Sequence, residues 1–278
     1  MTQGALGAHY DAPPGPLDAD RARAYARATN DDNPAYESGL VVPPVFGVVP
    51  TWPVFTAAVT DLVPPPARPG LLHAAHDMRF LRPLVPGRGL RGEADVTAVR
   101  GGRMGSWITL RLLCSDGDAL LLEQYATLFI RSFDAGPSGG EQASGHPFPA
   151  SARSSPVGRV EARVDEDQAR RYRDASGDTN PIHVDAEVAR AAGLPGVILH
   201  GLCTMAICGQ AVVAAAAGGD PLRLRRLAVR FSEPVFPGAD LVTSLYDTGS
   251  GDGATVLAFE ATSDGRRVIK DGLAEVAN

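Results

Sequence analysis

Residues 176–183 read SGDTNPIH, which sets a carboxylate (Asp178), an amide (Asn180) and an imidazole (His183) within six residues. Pro181 disfavours helical backbone at Asn180, so the stretch is a turn in which short polar side chains can converge on a cavity. An Asp and a His held together form an acid–base pair able to grip one water molecule. The carboxylate takes a proton while the imidazole passes or accepts another. Further along, HGLCT at 200–204 stands at the start of an apolar run that predicts a core helix beginning near Gly201 and ending at Gly218-Gly219. The first N–H groups of a helix lack internal acceptors and carry partial positive charge. A glycine there lets a carbonyl approach the backbone closely. Such a donor stabilises the enolate-like oxygen that forms when a thioester carbonyl is polarised. Water activation plus carbonyl polarisation is what hydrating an α,β-unsaturated thioester requires. Singly, each feature has a plainer reading, since Asp-Thr-Asn-Pro is a common turn former and a glycine can merely permit close helix packing.

The combination gains weight from an imperfect copy earlier in the chain. YRDASGDTNPIH from Tyr172 matches YARATNDDNPAY from Tyr25 at an offset of 147 residues. A second block, LAVRFSEPVFPG (227–238), matches HDMRFLRPLVPG (76–87) at an offset of 151. Two matched blocks in the same order imply a duplicated domain. In the first copy Tyr36 replaces His183. Aligning GLVVPPVF (39–46) with GVILHGLC (196–203) places Pro44, which has no N–H, opposite Gly201. About ten residues between motif and helix are also absent there. The turn is therefore expected to be structural in both halves and the chemistry to remain in one.

The elements that must position these groups follow a common plan. Each half starts with a helix, 18–30 and about 165–175, the second with Asp165 and Gln168 spaced as a reciprocal cap. Strand-like runs come later, at 107–114, 119–130, 225–231, 240–247 and 254–262. A helix followed by antiparallel strands suggests an α+β sheet wrapped around a helix, and two such halves could pair edge to edge. The expected division is a degenerate repeat at 1–131, a Gly/Ser/Pro-rich flexible connector at 132–156 and a catalytic repeat at 157–278. The 278 residues are 44% hydrophobic and 21% charged with a net charge of −6, which suits a soluble protein and argues against a nucleic-acid binder. Cys114, Cys203 and Cys208 sit in apolar text and read as reduced, buried thiols of a cytoplasmic protein. The first residues lack the layout of a signal peptide. Residues 41–59 hold four prolines, too many for a comfortable spanning helix, so no membrane insertion is expected. Arg225 and Arg226, ahead of a strand, are candidates for coenzyme A phosphates, with a solvated loop face as the equal alternative. His73 and His76 are read as structural, and His200 as a hydrogen-bonder at the helix entry.

YRDASGDTNPIHVD, GLPGVILHGLCT and VRFSEPVFPGAD closely resemble the MaoC-like, hydratase 2 family of (R)-specific enoyl-CoA hydratases. The resemblance covers most of the C-half and, more weakly, the N-half. It implies a double hotdog, in which each repeat wraps a curved antiparallel sheet around a long helix. It also implies no metal and no cofactor beyond a CoA or acyl-carrier-protein thioester substrate. By motif position Asp178 and His183 would hold the water, Asn180 would orient them, and the Gly201 N–H would bind the thioester oxygen. A thioesterase would use a carboxylate from the central helix, and 202–217 contain none. A non-catalytic thioester-binding subunit would have no need of the pair. A double hotdog is already a pseudo-dimer, so a further homodimer is allowed but not demanded.

Overall fold

The computed structural model describes residues 6–135 and 137–278. The N-half contains short strands β1 (His9–Asp11) and β2 (Gly15–Pro16), helices α1 (Ala19–Ala28) and α2 (Val48–Leu62), and long strands β3 (Leu71–Phe80), β4 (Gly89–Arg100), β5 (Gly105–Asp116) and β6 (Ala119–Arg131). After the two-residue β7 (Gly139–Gly140), the C-half contains β8 (Pro156–Arg163), α3 (Gln168–Ser176), α4 (Ala186–Ala191), α5 (Gly201–Ala216), β9 (Leu224–Phe231), β10 (Asp240–Gly251), β11 (Ala254–Ser263) and β12 (Arg266–Ala277). All pairings are antiparallel, in the order β1-β4-β5-β6-β3-β9-β12-β11-β10-β8. This is the α+β double hotdog that the resemblance implied.

The two halves join where β3 pairs with β9, from Ala75 opposite Arg230 to Arg79 opposite Arg226. At the middle of the seam Asp77 faces Ala228, residues that are also equivalent in the repeat. The duplication therefore acts as a pseudo-twofold axis through that pair. The duplicated tyrosines meet on the same axis: the Tyr25 and Tyr172 hydroxyls lie 3.1 Å apart, both buried, where α1 packs on α3. Arg226 clamps the seam with two hydrogen bonds to Asp77, at 2.7 and 3.0 Å.

Each half wraps its sheet around one helix. Eleven of the sixteen residues of α5 are buried, as expected for a helix apolar on all sides. Its counterpart α2 runs through Pro50 and Pro53, prolines that spoke against a membrane-spanning helix and not against a buried one. Pro50 falls in its first turn, where N–H groups have no helical partner to lose. Pro53 removes one interior bond at a cost of about 3 kcal/mol. Burial of Val54, Ala58 and Leu62 against β4 and β5 outweighs this, at roughly 1.5–3 kcal/mol per large side chain. The helical run Pro44–Leu62 is long and apolar enough to cross a bilayer by length and composition, yet more than half of it is buried within the protein.

The reciprocal cap on α3 forms in part. Gln168 reaches back to the Asp165 N–H (3.0 Å), but the Asp165 carboxylate goes to Arg171 and Asn30. The 132–156 segment, read as a flexible connector, is pinned at both ends. β7 pairs with β4, the Phe148 N–H donates to Asp271, and Arg153 bonds Glu260 at 2.7 Å. Its composition concealed these anchors because they are long-range, and the last residue, Pro156, already starts β8.

Candidate active site

α3 stops at Gly177, whose φ of +85° suits a glycine ending a helix. Two N-half side chains fasten this end. Arg21 donates to the Ala175 and Ser176 carbonyls, both at 2.8 Å, and Trp52 donates its indole N–H to the Gly177 carbonyl at 3.1 Å. The motif turn follows. The Asn180 N–H donates to Asp178 Oδ1 (3.1 Å), and the Ile182 N–H donates to the Asn180 side chain (3.4 Å), which caps a 3-10 turn over Pro181–His183. Asn180 thus orients the other two through its backbone as much as through its amide.

His183 points one nitrogen at protein and leaves one for the cavity. Its Nδ1 lies 2.9 Å from the Ile198 carbonyl, which can only accept, so Nδ1 carries the proton and Nε2 is a bare acceptor. His200 is arranged the same way, with Nε2 donating to the Asp178 carbonyl at 3.2 Å. Its Nδ1 is buried without a partner, and its ring stacks on His183 at 3.7 Å. His200 precedes α5 but forms no side-chain cap; its hydrogen bond holds the Asp178 backbone instead. Burial shapes the charges. It raises the Asp178 carboxyl above its ordinary range, with the neighbouring His183 and the Asn180 N–H opposing. It lowers His183, with Asp178 and the Ile198 carbonyl opposing. Raising the carboxyl and lowering the imidazole brings their proton affinities closer together, which favours proton exchange with a shared water.

Gly201 opens α5, so its N–H is a first-turn donor without an intrahelical acceptor. A Cβ there would meet the Phe231 ring at 3.3–3.5 Å, so a larger side chain would crowd the approach to that N–H. Asp178, Asn180, His183 and Gly201 all line one cavity of about 580 Å³. The ten residues missing from the N-half supply α4 and Leu194, which faces the space beside Ile198 and Leu199.

The opposite wall comes from the N-half. Trp52, Phe55 and Val59 of α2 and Leu71 and His73 of β3 line the same cavity. Phe55 stacks between Trp52 and His73, and His73 packs edge-on against Phe231. His73 therefore faces the cavity, although its place in the degenerate half had suggested a purely structural part. Behind it His76 bonds Gln124 at 3.1 Å, and burial pushes His73 down to about 3 and His76 down to about 4. The signal for these residues was the matched RF-x-x-P block, since it sets the β3–β9 register that carries the N-half wall to the C-half motif.

Arg225 and Arg226 are not brought to this cavity. Arg226 is committed to Asp77 and Glu275, and both arginines line a second cavity on the other side of the seam. The phosphate role expected of them at the catalytic cavity does not fit; Arg230 is the arginine that lines it. As for a metal, Asp178, His183 and His200 each offer a ligand atom within 4.8 Å of the others. The two stacked rings, 26° from parallel, run their in-plane lone pairs side by side rather than toward one point, and each has a nitrogen engaged by a carbonyl. The donor set suits a held water better than a cation.

The chain matches known proteins along its length. The model of the MaoC like domain covers residues 148–265. The 3-hydroxyacyl-thioester dehydratase Y of Mycobacterium tuberculosis is 34% identical over 82% of this chain and 81% of that protein. A probable enoyl-CoA hydratase 2 of Dictyostelium discoideum is 28% identical over 73% of this chain and 69% of its own. In three dimensions the chain superposes on a MaoC-like dehydratase from Phytophthora capsici with a TM-score of 0.85, covering 98% and 95% of the two chains, at 24% identity, which is a likeness of fold. The chain belongs to the MaoC-like hydratase and dehydratase family. It is an enzyme of the hydro-lyase type in its double-hotdog form.

Proposed function

We propose that the chain adds water reversibly to a trans-2-enoyl thioester, giving the (R)-3-hydroxyacyl thioester. One observation carries the reading: Asp178, the bare Nε2 of His183 and the Gly201 N–H open on one cavity between the halves. A water held by Asp178 and His183 loses a proton to the pair as its oxygen bonds to C3. The C2=C3 π electrons shift toward the thioester carbonyl, whose oxygen gains charge beside the Gly201 N–H. The pair then returns a proton to C2 on the same face, which makes the addition syn. The overall reaction is water plus alkene, so it balances without a redox cofactor.

The 34% identity to a 3-hydroxyacyl-thioester dehydratase supports this choice over thioester hydrolysis. So does the lack of any carboxylate on α5. The acyl chain is assigned to the N-half wall of Trp52, Phe55 and Val59, which suits long or bulky chains. The expected location is the cytoplasm, on the three buried, unpaired cysteines. Loss of enoyl absorbance over a series of trans-2-enoyl-CoAs, with product chirality, tests the reaction; the same series on an acyl carrier protein separates the two carriers. An (S) product, or no turnover on either carrier, would refute it.

A further inference from the structure

The repeat that created the catalytic cavity also left its image. Across the pseudo-twofold axis lies the second cavity, of about 670 Å³, lined by Pro44, Leu81, Arg82, Leu222, Arg225 and neighbouring residues. Pro44 is the counterpart of Gly201, and Arg82 is the counterpart of Glu233 at the live cavity. Arg225 stands where the live cavity has Ala74. The inner, catalytic part of this image is closed. Tyr36 is 3% exposed, and its hydroxyl bonds Asp31 in the place where His183 would work. The mouth is open and has changed sign. Four arginines (Arg79, Arg82, Arg225 and Arg226) and a single glutamate, Glu275, line it. The live cavity is lined by Arg230 and Glu233 besides Asp178.

Two of these arginines are in ion pairs. Arg226 bonds Asp77 and Glu275, and Arg79 sits by Asp77 and Glu123. Arg82 and Arg225 are exposed and, among the described residues, have no carboxylate within ion-pair distance, in a chain whose net charge is −6. Apolar walls (Leu81, Leu222 and Pro44) next to two free guanidinium forks recognise a molecule with both phosphates and a flat apolar part.

We infer that the second cavity is a binding site for the phosphorylated nucleotide end of a coenzyme A molecule that is not being turned over. The inference takes from the proposed function only the nature of the coenzyme. It needs no chemistry at the dead turn.

Calorimetric titration of free CoA into the full chain tests it, with 3′,5′-ADP as the nucleotide alone and inorganic phosphate as the charge control. R82E/R225E and the milder R82A/R225A are the variants. Neither side chain has a partner to lose, so both variants should melt as wild type does. The expected result is two equivalents of CoA on wild type and one on R82E/R225E, with R82A/R225A binding the second at least tenfold more weakly. The second equivalent weakens as salt rises, and the hydration kcat/KM stays within twofold. Equal stoichiometry and affinity on wild type and R82E/R225E would overturn the site, as would phosphate matching CoA. Failure of the proposed reaction would show separately, as no turnover of any enoyl thioester by a chain that still loses a CoA equivalent in the variant.

Discussion

The turns at Asp31–Tyr36 and Asp178–His183 have nearly the same backbone and different consequences. In both, an aspartate accepts the N–H of an asparagine two residues on, at 3.2 and 3.1 Å. In both, that asparagine caps a 3-10 turn opened by a proline, with φ/ψ of −60/120 and −58/118. What differs is the residue that ends the turn and the residue that opens the central helix. Tyr36 fills its pocket and bonds Asp31, and Pro44 has no N–H to offer. His183 leaves a nitrogen bare, and Gly201 presents a donor. The comparison separates what the motif does for folding from what it does for chemistry. Asp, Asn and Pro build the turn in both halves, while His183 and Gly201 let Asp178 act as one member of a reactive pair.

The sharpest break between the halves should come from Asp178→Asn and His183→Ala. Each is expected to lower kcat/KM by about 10²–10⁴-fold, the range for losing a positioned acid or base, with melting points close to wild type. Activity surviving in both variants would mean the live half was misidentified. Next is Arg226→Ala, which leaves the nearly buried Asp77 without its clamp at the seam and should cost about 3 kcal/mol of stability. An unchanged denaturation midpoint would show that apolar packing alone holds the halves.

Acid should then act on both halves together. His73, His76, His183 and His200 are all held below the ordinary 6.5 by burial. The unfolded chain takes up their protons first, so stability is lost as pH falls from about 6.5 toward 4. Each imidazole contributes up to about 1.4 kcal/mol per pH unit. His9, raised by its hydrogen bond to Asp95, runs the other way, as do the carboxyls of Asp178 and Asp31, which burial raises. Melts across that range check the sign, and His76→Gln should flatten the slope. A smaller effect is expected of Phe55→Ala, raising KM about tenfold for long enoyl chains and little for a four-carbon one; equal effects would remove the N-half from the acyl pocket. Smallest is Tyr36→Phe, which should leave kcat/KM within twofold and cost about 1 kcal/mol through the lost hydrogen bond to Asp31. A large loss of activity there would end the view of a silent turn.

Much of this contrast was legible in the residues. Asp178, Asn180, His183 and Gly201 are local to a turn and a helix start, and local geometry is what short-range sequence encodes. The duplication was legible because Arg79-Phe80 and Arg230-Phe231 recur in order. The extent of the helix at Val48–Leu62 was not legible, because a proline's penalty is local whereas the burial that outweighs it comes from strands about thirty or more residues away. Arg226 was misread for the same reason. Its partner Asp77 lies across the seam, 149 residues off, and nothing beside Arg226 in the chain hints at a carboxylate.

The pinned crossing from β6 to β8 has a consequence for how the enzyme behaves when scarce. Two separate hotdog subunits would part on dilution, and the wall carrying Trp52 and Phe55 would leave with its subunit. Here the tether supplies each half with its neighbour at an effective concentration of the order of millimolar for a short linker. Specific activity should therefore be independent of enzyme concentration far into the picomolar range.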